Sequence, residues 1–86
     1  MAHELLILDN SEFPYLGKKI RTKIADKDCD EHDNERLIPV GTVGKVVGIA
    51  YHNVTSRVTS YTVFWENEAV TIWDGPEIEK DAEVLP

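Results

Sequence analysis

The densest gathering of groups able to do chemistry lies between residues 26 and 35. There Asp26, Asp28, Asp30, Glu31, Asp33 and Glu35 surround Cys29 and His32. Hard cations take about six to eight oxygen ligands, and Asp26-x-Asp28-x-Asp30 opens as a calcium loop does. The pattern then departs, because Glu31 stands where the sharp turn needs glycine and Leu37 where a bidentate glutamate belongs. One thiol and one imidazole are too few for a soft-metal centre. No metal or other cofactor is expected. The stretch reads as a solvated acidic loop in which Asp28, Asp30, Glu31 and Asp33 could meet a basic partner. A second acidic group follows in the last third: Glu66, Glu68, Asp74, Glu77, Glu79, Asp81 and Glu83, relieved only by Lys80. On a shared face the two groups would present spaced negative charge able to occupy a nucleic-acid-binding groove on another protein. Acidic solubility is the plainer account.

The opposite charge collects on Lys18, Lys19, Arg21 and Lys23. These could touch phosphates, but Lys and Arg also serve as the wet face of an edge strand, where they discourage edge-to-edge pairing. The net charge of −7 disfavours nucleic acid as a partner. Six aromatics, Tyr15, Tyr51, Tyr61, Phe64, Trp65 and Trp73, raise a peptide-groove reading. Tyr61 and Trp65 share a strand face with Val63, so at least one of them is expected in the core, with Phe64 pointing the other way. Tyr51 and Trp73 are the expected surface aromatics and the expected contacts to a protein partner. Catalysis has no foothold. His3, His32 and His52 are scattered, and Gly41, Gly44 and Gly48 sit among β-branched residues, where no helix N-terminus could hold a phosphate.

These residues must be held by a chain of 86 residues, enough for a single domain spanning 1–86. With Cys29 alone, no intramolecular disulfide can form, which suits a reducing compartment. The run Leu5-Leu6-Ile7-Leu8 is too short for a signal or a membrane span. A cytoplasmic location is expected, and Asn53-Val54-Thr55 then has no meaning as a glycosylation triplet.

The apolar residues alternate, which is the strand signal. Over residues 18–25, Ile20, Thr22 and Ile24 take one face and Lys19, Arg21 and Lys23 the other. Residues 26–39 read as a long surface loop. A second strand covers 42–51, where Gly44 and Gly48 suggest a bulge or a close backbone approach. Residues 52–58 are polar. Residues 59–65 and 69–73 form a hairpin about Glu66-Asn67-Glu68, with Ile72 expected in the core. Asp74-Gly75-Pro76 is a turn, 77–81 one helical turn, and Glu83-Val84-Leu85 a last short strand. Five short strands bury their apolar faces by closing into a barrel or packing as two small sheets. Residues 1–16 form an N-terminal extension.

Four segments carry a resemblance. Gly17-Lys-Lys-Ile-Arg-Thr, Ile38-Pro-Val-Gly-Thr-Val-Gly-Lys-Val-Val-Gly-Ile, Tyr61-Thr-Val-Phe-Trp-Glu-Asn-Glu and Asp81-Ala-Glu-Val-Leu occur in the order of the strands of small SH3-like barrels. The chain resembles short bacterial and phage SH3-like proteins and, more loosely, KOW-type modules, with Glu68 at the position of a hairpin glycine. The resemblance covers about residues 17–86 and implies an all-β, five-stranded SH3-like barrel with a long acidic loop after its first strand. Such barrels host unrelated tasks. The expected function is a non-enzymatic protein-binding module or accessory subunit with an unknown protein partner. An acidic inhibitor imitating nucleic-acid charge, and a KOW-like nucleic-acid contact through the basic first strand, stand as alternatives.

Overall fold

The computed structural model describes residues 13–53 and 58–86. The Leu5–Leu8 run, most of the expected N-terminal extension, and Val54 and Thr55 of the glycosylation triplet lie outside the described residues. Seven strands and one short helix follow in chain order: β1 (Lys19–Thr22), β2 (Asp26–Cys29), β3 (Glu35–Ile38), β4 (Val43–Asn53), β5 (Val58–Trp65), β6 (Val70–Asp74), α1 (Gly75–Asp81) and β7 (Ala82–Val84). Five of the strands form one antiparallel sheet in the order β6-β5-β4-β1-β7, while β2 and β3 pair separately. No ladder joins β6 to β7 among the described residues, so the sheet does not close on itself as a barrel.

Side-chain alternation builds the sheet. β1 buries Ile20 and Thr22 and turns Lys19 and Arg21 to solvent. It stops short of the expected length because the Thr22 hydroxyl bonds Ile24 twice, donating to its carbonyl at 2.7 Å and accepting from its N–H at 3.2 Å. This local turn leaves Ile24 exposed rather than in the core. β5 alternates throughout, with Thr59, Tyr61, Val63 and Trp65 buried. β4 keeps its register with β5 only by two irregularities, between Val46 and Gly48 and between Ile49 and Tyr51. Each extra residue bends the strand and strengthens its twist, so this long strand curls over the core.

The β5–β6 hairpin decides which side chains of β6 point inward. The Glu68 amide donates to the Trp65 carbonyl at 2.8 Å, and the Trp65 amide donates to the Ala69 carbonyl at 2.9 Å. Glu68 takes φ 75°, the left-handed conformation required at the end of such a three-residue loop. Ala69, Thr71 and Trp73 therefore face the core, and Val70 and Ile72 face out. The expectation that Ile72 is a core residue is thereby corrected, since it is half exposed. The apolar pair Val70 and Ile72 suggests the opposite phase, but packing favours the larger Trp73 inside. The Trp65 indole N–H donates to the Thr71 hydroxyl at 2.9 Å, which satisfies both buried groups.

The segment expected as a long loop is instead a β-hairpin, with Asp26 paired to Ile38 and Cys29 to Glu35. Its strands are mostly wet, so no apolar alternation betrays them. Ile38 anchors it in the core, and the Asn67 side-chain amide donates to the Leu37 carbonyl. At the other end, Asp74 caps α1. Its carboxylate accepts from the Glu77 amide at 2.8 Å, and the Glu77 carboxylate accepts from the Asp74 amide at 3.0 Å. The helix carries Ile78 into the same buried cluster as Phe13, Ala69 and Ala82. No helix among the described residues is long and apolar enough to cross a membrane.

Two substitutions test this core. A Cβ on residue 44 would lie 2.5 Å from Trp65 Cε3, so Gly44→Ala must displace the indole. By analogy with overpacked cores it is expected to cost about 1–3 kcal/mol in a urea titration. Thr71→Val keeps the volume but strands the indole N–H, with an expected loss of about 1–3 kcal/mol. A Thr71→Val protein as stable as the parent would remove the role assigned to that hydrogen bond.

Candidate functional site

The acidic hairpin is built around Asp30. Its carboxylate is nearly inaccessible and collects the amide N–H of His32 and of Asn34 on Oδ1, each at 2.9 Å. Arg36 Nε donates to Oδ2 at 3.0 Å. The Asn34 amide, then the Arg36 guanidinium and the His32 amide, pull this carboxyl from 3.8 down to about 2 against the opposing effect of burial. Asp33 takes φ 67° in the turn, a conformation that aspartate tolerates better than most residues. Asp30 is thus an internal fastener, which corrects the expectation that it offers charge to a partner. Asp28 is exposed, but its Oδ1 accepts from the Cys29 amide at 2.8 Å. Lys27 pairs with Glu35 at 3.4 Å. Glu31 and Asp33 remain solvent-facing. No three His, Cys, Asp or Glu side chains gather into a cation-binding group among the described residues. The Cys29 thiol is pushed up by burial and by the carboxylates of Asp33, Asp28 and Glu35, so it is held protonated and is a poor nucleophile.

Of the two aromatics expected at the surface, one is there. Tyr51 is 68 % exposed, whereas Trp73 is only 4 % exposed. Trp73 was expected to face out because it follows Ile72 near a strand end. It points inward because it sits opposite Tyr61 and meets Trp65 edge to face with ring centroids 5.3 Å apart. Its indole N–H donates to Asp26 Oδ2 at 3.3 Å, tying the acidic hairpin to β6.

The outer face of the large sheet carries apolar residues of which only Tyr51 and Phe64 are expected there. Tyr51, Val47, Phe64 and Ile72 are exposed there, with Val70 half-buried beside Phe64. The register sets them in rows across the strands. Lys19 lies opposite Lys45, Lys45 opposite Phe64, and Phe64 opposite Val70. One row along, Thr62 lies opposite Ile72, and the next sets Tyr51 opposite Ser60. A shallow cavity of about 240 Å³ opens on this face, lined by Lys19, Val43, Gly44, Lys45, Phe64 and Glu66. The Glu66 carboxylate closes one side, accepting from the Val43 amide at 3.2 Å. The period-two pattern already placed Phe64 outward; the signal available for the rest was that β4 and β6 carry aliphatic residues on both faces. The arrangement can bind, through apolar contact and lysine charge, but it gathers no nucleophile with a base.

Asp30 makes a pH-dependent contribution whose sign is fixed. Because the folded-state value lies below the ordinary 3.8, its stabilisation is complete above that value and is lost as pH falls toward about 2. Asp30→Asn is expected to flatten the acid sensitivity of amide-exchange protection over 26–38 and to lower that protection at neutral pH. Residues 61–65 should be unaffected. Equal loss in both segments would show that the hairpin is not the unit Asp30 holds. Comparison of the chain with protein-family models, with curated proteins and with solved structures finds no match, so surface chemistry carries the reading of function.

Proposed function

We propose that the chain is an SH3-like domain acting as a non-enzymatic protein-binding module, with the outer face of β4, β5 and β6 as its contact surface. The strand order supports the SH3-like reading. With the acidic hairpin set aside as an insertion after β1, the remaining strands form a meander whose last strand returns beside the first, with one helical turn before it.

One observation carries the functional reading. An antiparallel sheet with one covered face ordinarily turns polar residues outward, yet here Val47, Tyr51, Phe64 and Ile72 stand exposed on that side. Scattered surface apolar residues mean little, but Phe64 lies directly opposite Val70 and diagonal to Ile72, and clustered exposure of that kind is the mark of an interaction site. Imitation of nucleic-acid charge is less well supported. Asp26, Asp30, Asp74 and Glu77 direct their carboxylates to hydrogen bonds within the fold, which thins the acidic array.

Phe64→Glu and Ile72→Glu place charge in the patch without touching the core. Both variants are expected to melt like the parent by circular dichroism. In affinity capture from the native host, the partner retained by the parent is expected to bind each variant at least about tenfold more weakly, the scale of an interface residue. Identical capture by parent and variants would remove this face from consideration.

A further inference from the structure

The basic end of the outer face is built around a like-charge pair. Lys19 and Lys45 are directly opposite on β1 and β4. The Lys19 carbonyl turns away to accept the Leu85 amide at 2.9 Å, and the β1–β4 bonds run through Lys18 and Val46 instead. Lys19 and Lys45 therefore occupy a non-hydrogen-bonded position, where opposing Cα atoms approach to about 4.5 Å and side chains lie closest. Like charges set there repel. Arg21, the next outward residue on β1, is relieved by Glu83 at 3.4 Å. Neither Lys19 nor Lys45 forms an ion pair among the described residues. An anion placed over the two ammonium groups would turn the repulsion into attraction.

The surroundings say what kind of anion. Both lysines line the same 240 Å³ depression as Phe64 and Val43, so the ligand has an apolar portion beside its charge. Lys45 and Phe64 are directly opposite on β4 and β5, so one ligand can meet the lysine charge and the ring together. The depression is open, which suits the end of an extended chain. Glu66 on its rim and the net charge of −7 disfavour a string of phosphates. Lysines act as rotatable point charges, adequate for one carboxylate.

We infer that the Lys19–Lys45–Phe64 groove binds the free C-terminal carboxylate of a protein segment ending in an apolar or aromatic residue. The carboxylate lies over the two ammonium groups and the last side chain against Phe64 and Val43. This rests on the outer sheet face being the contact surface, as proposed above.

An amide-shift titration of the whole ¹⁵N-labelled chain tests it. The probes are an N-acetylated pentapeptide ending in Val-Phe with a free carboxylate, the same peptide as its C-terminal amide, and a short oligothymidylate. The acid peptide is expected to shift Lys19, Val43, Lys45 and Phe64 saturably and to bind at least about fivefold more tightly than the amide, a gap that shrinks with added salt. Lys45→Gln, at an exposed position, should abolish the difference between acid and amide while sparing the fold. Equal binding of the two peptides on this face would overturn the carboxylate assignment and leave the binding-module reading standing. Absence of shifts on this face with both peptides would overturn it as well, while capture through Phe64 and Ile72 would still decide the broader reading. Tighter binding of the oligonucleotide at the same amides would overturn both.

Discussion

Trp65 is fully buried, and three neighbours on two strands are fitted to it. On β4, residue 44 has no side chain because the indole occupies that space. On β6, Thr71 supplies the acceptor for the indole N–H, and Trp73 meets the ring edge to face. A buried indole without an acceptor is costly, so Thr71 must point inward. Period-two geometry then sends Val70 and Ile72 outward. The outward Val70 and Ile72 are therefore a consequence of how the core satisfies one donor. The inner packing and the candidate binding surface are two sides of a single choice of register.

Several elements could be read from residue order because local chemistry and burial agree there. Tyr61, Val63 and Trp65 alternate cleanly and are all buried, with Phe64 outside. The helical turn expected over 77–81 is present but starts earlier, at Gly75, because Asp74 caps it, and Gly44 is the close approach that a glycine within a strand suggests. β6 was misread because Val70-Thr71-Ile72-Trp73 has an apolar residue on each face. Alternation alone cannot phase such a strand. The left-handed Glu68 and the Trp65–Thr71 bond settle it, and one depends on backbone geometry and the other on a tertiary contact. The sheet also stays open at β6 and β7, which a count of strands does not reveal.

The candidate site was only partly legible. Tyr51 stands out as an exposed aromatic, but Trp73 does not, and the acidic stretch is ordered by its own carboxylates. Asp30 looks like one acid among several in the sequence. Only the closed turn shows it taking two amides and Arg36 while the side chain is nearly shut from water. Lys19 and Lys45 are 26 positions apart and become neighbours only through the β1–β4 register. Residue order has no access to that pairing, although alternation gives the outward face for Lys19.

The placement of β7 has a further implication. β1 is flanked by β4 and β7, and Ile20 pairs with Val84 across almost the whole described chain. The β4–β5–β6 meander can assemble from contacts close in sequence, whereas β1 cannot be enclosed until residues 82–84 exist. On a ribosome the nascent sheet would carry an open edge next to its basic strand until synthesis reaches that point. Maturation would then be gated by the arrival of a very short segment rather than by the bulk of the domain.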